Sequence, residues 1–457
     1  MADSGVTLTE EALPAGVADL LAGYLGRQRW FARPAGAGGH QEGREDVAPE
    51  EVVVQQSARL LTTAGGSHRL WWAVVAHADA RYQLLLGERP GGEPAEFLGG
   101  HEASVIGTCG DSYFYDGTLD TELALPFLEL ISGGEQTAER VRPIGVEQSN
   151  TSLVYDDRVI LKVFRRLLEG RNPDVEVTTA LARAGFEQVA TPVALWHHEG
   201  TDLAFAQEFL AGGSEGWALA LTSLRDLYNS GAADPAETGG DFSGEATRLG
   251  SMTARMHLAL AESFGTDAGR LSAGGFGDLV DDIERRLEGL GPEVLGQEVG
   301  KDVRDQVRAA LARLRAVADA GPALRVHGDY HLGQVMRTDG GWYVLDFEGE
   351  PARPMAERLT PSSPLKDITG MLRSFHYASR FALRARADDE LERLEAVAQA
   401  WEDHNRAAFV AGYVAEEGIE RLLPAPAARQ AVEAAYELDK ALYELSYERS
   451  YRPDWED

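Results

Sequence analysis

Apolar positions alternate with polar ones through much of the first two hundred residues. Beyond Trp217 they recur at spacings of three and four. The first pattern predicts strands at Val52 to Leu61, Leu70 to His77 and Tyr82 to Leu86, after a short helix at Val17 to Leu25. A glycine- and proline-rich stretch, Pro34 to Gly43, reads as a loop, and Thr121 to Ser132 as a helix. Leu153 to Tyr155 and Val159 to Phe164 form an expected hairpin around Asp156-Asp157. A helix over Val175 to Ala184 follows, then strands at Val189 to Trp196 and Leu203 to Phe209. The second pattern predicts helices at Ala218 to Tyr228, Phe242 to Ser263, Phe276 to Leu290 and Val303 to Ala318. Further helices are expected at Ser363 to Arg386, Asp388 to Gly418, Ala427 to Leu438 and Asp439 to Tyr447, with a fraying tail over Arg449 to Asp457. Two strand-like runs interrupt them, Ala323 to Val326 and Trp342 to Phe347, and each brings a carboxylate to its far end.

The order of strand, turn, strand, helix, strands and hinge, followed by helices, predicts an α+β, bilobal, protein-kinase-like fold. A β-rich N-terminal cap precedes it. The expected divisions are a cap over 1–100, a small lobe with a nucleotide-side sheet over 101–210, and a mainly helical large lobe over 211–457.

At 457 residues, with 44% hydrophobic and 26% charged positions, the chain has the composition of a globular protein of two or three domains. It has no run of 18 apolar residues, no secretory pattern near Met1 and one cysteine, Cys109. These features lead us to expect a cytoplasmic enzyme acting as a monomer, with no membrane partner. The net charge of −31 repels nucleic acid and would draw in a cation. A nucleotide pocket would then need its own basic group and a metal.

His327-Gly328-Asp329-Tyr330-His331-Leu332-Gly333-Gln334 is the strongest signal. Asp329 precedes Gln334 by five positions, as a catalytic Asp precedes a metal-binding Asn in kinase catalytic loops. Asp346, in Asp346-Phe347-Glu348, takes the place of the metal-chelating Asp that follows. Two histidines four apart could instead share zinc, but that needs a helix, which Gly328 and Gly333 oppose. Upstream, Lys162 sits on an apolar strand, and Glu176 follows 14 residues later in a helix. A strand lysine held by a helical glutamate is how this fold addresses nucleotide phosphates. Gln148-Ser149-Asn150-Thr151-Ser152 could cradle phosphate or be an ordinary hairpin turn. A P-loop motif is absent from the sequence.

The run from His327 to Ala378 closely resembles the actinobacterial maltokinases and the related glucosamine kinases, both aminoglycoside-phosphotransferase-like. The likeness extends to Glu147 to Ser152, Ile160 to Arg166, Tyr436-Glu437-Leu438-Asp439-Lys440 and Arg29-Trp30-Phe31-Ala32. It implies ATP and Mg²⁺ as cofactors, with Lys162 and Glu176 as the ion pair on the nucleotide side. Asp329 would be the base, with Gln334 and Asp346 as metal ligands and Glu348 nearby. Gln207, Glu208 and Leu210 would fall at the hinge that receives adenine.

The acceptor is less specified. Where maltokinases read W-[FY]-A-G-[KR], this chain has Trp30-Phe31-Ala32-Arg33-Pro34. In Trp401-Glu402-Asp403-His404-Asn405-Arg406, Glu402 departs from the maltokinase pattern. A carboxylate beside an indole could bind the ammonium of an amino sugar, or it could lie on the wet face of an acidic helix. The expected acceptor residues are therefore Asp329, His331, Trp401, Glu402, Asp403 and Asn405. The expected reaction is phosphorylation of glucosamine at its 6-hydroxyl. Formation of maltose 1-phosphate, an aminoglycoside phosphotransferase and a non-catalytic pseudokinase are the alternatives.

Overall fold

The computed structural model describes residues 2–3, 6, 8–31, 47–91, 95–144, 150–266, 273–289, 301–317, 319–351, 353–384, 386 and 388–451. The chain forms two compact units, Met1–Val175 with Ala190–Ala211, and Glu176–Val189 with Gly212–Asp457. Among the described residues no helix is long and apolar enough to cross a membrane.

The first unit opens with strand β1 (Ala2–Asp3) and helix α1 (Val17–Leu25). An antiparallel meander follows, β2 (Val53–Thr62), β3 (Arg69–His77) and β4 (Ala80–Pro90), extended by β5 (Val105–Cys109) and β6 (Ser112–Asp116). Successive side chains on a strand point to opposite faces, and β3 buries both. Leu70, Trp72 and Val74 join one core; Trp71, Ala73 and Val75 join another with Val17, Leu21 and Tyr24 of α1. Burying one such side chain contributes about 1.5–3 kcal/mol.

The second sheet contains β7 (Val141–Ile144), β8 (Asn150–Tyr155), β9 (Val159–Phe164), β11 (Pro192–His198) and β12 (Thr201–Glu208), in the order β1-β11-β12-β9-β8-β7. Asp156 and Asp157, with φ of 49° and 54°, and Arg158 turn the β8–β9 hairpin between the paired Tyr155 and Val159. A short strand β10 (Arg166–Leu167) pairs with β4 of the first sheet. Helix α2 (Thr121–Ile131) contributes Leu123, Phe127 and Ile131 to a core shared by Trp72, Leu161 and Trp196. One core thus includes residues of both sheets.

Helix α3 (Pro173–Arg183) starts where Pro is tolerated, at its first position. Asn172 Oδ1 accepts the Asp174 N–H there at 2.8 Å, as an N-cap does.

The second unit holds α4 (Gly216–Ser230), α5 (Ser243–Phe264), α6 (Ala273–Gly289), α7 (Lys301–Arg315), α8 (Met355–Leu359), α9 (Leu365–Leu383), α10 (Asp388–Val414) and α11 (Pro426–Tyr451). A small sheet, β13 (Ser214–Glu215), β14 (Val335–Thr338) and β15 (Gly341–Val344), sits among them. Their apolar faces meet in one core that includes Leu249, Val335, Phe375, Trp401 and Phe409.

Three expectations change. Ala323 to Val326 is an extended segment that makes a single bridge, Leu324 to Ser362, because among the described residues no strand pairs along it. The two helices expected over Ala427 to Tyr447 are one, α11, since nothing at Leu438-Asp439 breaks the backbone. Val189 is not in β11; it bridges Val344 of β15 instead. The loop Pro34 to Gly43 and residues 452–457 of the tail lie outside the described residues.

Candidate active site

On the first unit, Lys162 lies in β9 between Ser152 of β8 and Phe205 of β12. Its ammonium donates to Asp174 Oδ2 at 2.8 Å, and the carboxylate is almost fully buried. The helical acid that holds this lysine is therefore Asp174, not Glu176. Residues two apart on a helix do not face the same way, so the two cannot share one partner. Glu176 belongs to the second unit and lies 3.8 Å from Arg325.

Gln148 and Ser149 fall outside the described residues. Asn150, Thr151 and Ser152 are strand residues of β8 rather than a turn, because the hairpin ladder with β9 runs through all three. The Thr151 hydroxyl accepts from Arg165 Nε at 2.8 Å, and Ser152 is buried.

At the end of β12, Gln207 is buried opposite Ile160. The Glu208 amide donates to Thr191 O at 2.8 Å, and its carboxylate accepts from the Thr191 hydroxyl. The Leu210 amide, just past the strand, has no hydrogen-bond partner among the described residues. It is a backbone donor of the kind a nucleobase edge requires.

On the second unit the catalytic-loop sequence is shaped by one buried carboxylate. Asp367, in the first turn of α9, accepts the backbone N–H groups of His327 at 2.8 Å and Gly328 at 2.9 Å. His257 Nε2 approaches it to 3.1 Å, and His257 Nδ1 meets the Tyr413 hydroxyl at 2.8 Å. Burial opposes ionisation of Asp367, but the His257 contacts, with His327 and the Gly328 amide, outweigh it and lower its pKa. Gly328 has φ of 88°, a conformation that a side chain would strain. Gly370 of α9 lies against the loop, where an added Cβ would stand 2.6 Å from Tyr330 O.

His327 reaches Leu345 O through Nε2 at 2.9 Å, tying the loop to the end of the hairpin. His331 Nδ1 accepts the Gly333 N–H at 3.0 Å, which leaves the imidazole proton on Nε2. That nitrogen lies 3.9 Å from Asp329 Oδ2. Burial pushes the His331 pKa down, Asp329 offsetting only part of the effect, so the ring is neutral near pH 7. The two histidines serve the loop through separate hydrogen bonds.

Asp329 Oδ1 accepts from Lys440 Nζ at 2.9 Å, and Lys440 also donates to Glu350 Oε1 at 2.7 Å. Burial works against the Asp329 carboxylate, but the Lys440 ammonium, with His331, holds it well below the usual carboxylate range. Lys440 is likewise held above its ordinary value: burial lowers it, and Asp329 and Glu350 outweigh the burial.

Gln334 and Asp346 flank the β14–β15 hairpin, with Gln334 Nε2 3.4 Å from Asp346 Oδ2. Asp346 has φ of 57°, a left-handed conformation costing a non-glycine residue about 1–3 kcal/mol. The Glu348 amide donates to Asp346 Oδ1 at 3.3 Å, so Glu348 contributes a backbone contact. Among the described residues no three acids, histidines or cysteines gather into a metal cage. Mg²⁺ on a nucleotide does not need one: one or two carboxylates with substrate phosphates and water suffice. The adjacent amide and carboxylate fit that requirement.

The expected acceptor residues on α10 do not stand together. Trp401 is fully buried between Phe242 and Phe375, its Nε1 donating to Ser223 Oγ at 2.9 Å, and it has no face to offer a sugar. Asn405 is also a core residue, bonded back to Trp401 O at 2.7 Å. Asp403 is exposed and accepts from Gln399. Glu402 is buried rather than on the wet face; its Oε2 meets His376 Nδ1 at 2.9 Å and its Oε1 accepts from Arg406 at 3.1 Å. Burial would raise its pKa, but these two partners lower it. Asp367, Lys440 and Glu350 were not among the expected site residues. For Asp367 and Lys440 the available signal was a charged residue within an expected helix; Glu350 carried none.

Residues 140–409 match the model of the phosphotransferase enzyme family, APH. The chain belongs to this family. Among curated proteins, this APH-family chain is 29% identical over 336 residues to a glucosamine kinase of Mycolicibacterium smegmatis, covering 71% of this chain and 79% of that one. It is 31% identical over 248 residues to a glucosamine kinase of Streptacidiphilus jiangxiensis, covering 52% of this chain and 55% of that one. A solved glucosamine kinase in complex with glucosamine, ADP and inorganic phosphate superposes with a TM-score of 0.62 at 23% identity, over 88% of this chain and 91% of that one. As an APH-family member, the protein is a phosphotransferase acting on a hydroxyl acceptor.

Proposed function

We propose that this phosphotransferase moves the γ-phosphoryl group of ATP to the 6-hydroxyl of glucosamine. The observation that carries the reading is Asp329. Its carboxylate is kept ionised, anchored through Oδ1, and carried on a loop braced by Asp367. Two curated relatives are glucosamine kinases, which favours an amino sugar over maltose.

In this reading Lys162, held by Asp174, binds nucleotide phosphates, and the Leu210 amide receives the adenine edge. Gln334 and Asp346 would hold Mg²⁺, which when bound offsets charge on the phosphoryl oxygens. Asp329 orients the acceptor hydroxyl and takes its proton. Phosphoryl transfer has a loose transition state, so the nucleophile's proton is lost late and a weak base suffices. Neutral His331 offers Nε2–H beside Asp329, where it can donate to an oxygen of the acceptor. The buried carboxylate Glu402 remains the candidate for the ammonium, approached from the half-exposed His376 side.

The test compares the wild-type protein with Asp329→Asn on ATP and a panel of sugars. The variant should lose at least a thousandfold in kcat and still bind ATP within threefold of the wild type. Turnover within tenfold of the wild type would refute Asp329 as the base.

A further inference from the structure

We infer that Lys440 is a positioning residue for this reaction, resting on the reading of Asp329 as base: its ammonium fixes the Asp329 carboxylate so that Oδ2 faces the acceptor hydroxyl. Lys440 lies on α11, 111 residues after Asp329. Its ammonium has three donors. One goes to Asp329 Oδ1 at 2.9 Å and one to Glu350 Oε1 at 2.7 Å; the Tyr443 ring centre lies 4.9 Å away. Two of the three donors are thus taken up by carboxylates, which fixes the direction of the ammonium.

The arrangement closes on itself. Arg353 bonds Glu350 and reaches Asp439 Oδ2 at 2.9 Å, and Asp439 is the chain neighbour of Lys440. Arg286 holds Asp439 from α6. A cation and an anion side by side on α11 thus meet an anion and a cation three residues apart on the turn after Glu348. Glu350 and Asp439 are both buried, and an ion held from two sides on buried partners loses its rotamer freedom. Asp329 inherits that rigidity at Oδ1. Oδ2 is left on the His331 side.

The proton balance follows. The acceptor hydroxyl oxygen forms its bond to phosphorus as the bridging bond to ADP breaks, and ADP leaves with the electron pair. The hydroxyl proton passes to Asp329 Oδ2 and then to solvent. Lys440 makes Asp329 a poor base but an available one, ionised throughout the mildly acidic range. Removing its charge should leave an oriented acid replaced by a loose and protonatable one. The groups facing Asp329 are Lys440 from α11 and His331 and His327 from its own loop, with Glu350 behind Lys440.

The experiment follows kcat and kcat/KM for glucosamine at saturating ATP from pH 5 to 9, and KM for ATP at saturating glucosamine, in the wild type, Lys440→Met, and Lys440→Met with Glu350→Gln. The double variant removes one cation and one anion, so net charge is kept, Glu350 is not left as a carboxylate facing the lost cation, and Asp329 alone loses the Lys440 ammonium. Expected are a loss of at least tenfold in kcat, a KM for ATP within twofold, and an acid limb moved up by at least one pH unit in both variants. In an Asp329→Asn background, adding Lys440→Met should cost less than a further threefold. An unmoved acid limb in the double variant, or a full further loss in the Asp329→Asn background, overturns the role of Lys440. High turnover by Asp329→Asn alone would instead overturn the function on which it rests.

Discussion

Each residue of an α-helix is rotated about 100° from the last, so Trp401 and Glu402 of α10 face different surroundings. The indole points into the core with Phe242 and Phe375, while the carboxylate points to His376 and Arg406. Trp401→Phe should lower stability modestly and leave the acceptor KM within twofold, because no sugar touches that ring. Trp401→Ala should cost about 3–5 kcal/mol, the range for emptying an aromatic site in a core. Denaturant unfolding and steady-state kinetics on the same preparations check both. A tenfold rise in acceptor KM for a stably folded Trp401→Phe protein would contradict the core assignment. The spacing of aromatic and acidic residues on α10 was legible in the sequence. Which arc of that helix is covered depends on α5 and α9, and the chain carries no local signal for it.

At the scale of elements, the phase of a helix decides function as much as its presence. The strand bearing Lys162 and the helix after Asn172-Pro173 could both be read from periodicity and cap chemistry. A two-residue difference in phase then makes Asp174 the partner and sends Glu176 towards Arg325. A charge-assisted hydrogen bond contributes about 1.5–3 kcal/mol. Asp174→Asn should therefore raise the KM for ATP at least tenfold, and Glu176→Gln should change it less than twofold. The reverse order in ATP titrations would restore Glu176 to the nucleotide side. The loop proposed as catalytic was the most legible element, since Asp329, Gln334 and Asp346 follow one another at the spacing of kinase loops. Its supports were less so. Asp367 and Lys440 come from α9 and α11, and only the tertiary fold brings them to the loop. Reading α11 as two helices also placed Lys440 beside a break, where the structure has it mid-helix.

For the whole molecule, a net charge of −31 makes the acceptor's charge matter before any contact forms. A protonated amino sugar is attracted by such a field and a neutral disaccharide is not, while salt screens the difference beyond about 10 Å at 0.1 M. Family membership over residues 140–409 defines the reaction class, and the acceptor rests on the proposal made for it. The most direct measurement is phosphorus NMR of the product formed from ATP with equal concentrations of glucosamine and maltose. A single new phosphomonoester coupled to the methylene protons of carbon 6, with maltose unchanged, is the predicted result. A resonance coupled to the anomeric proton, with maltose consumed, would contradict it.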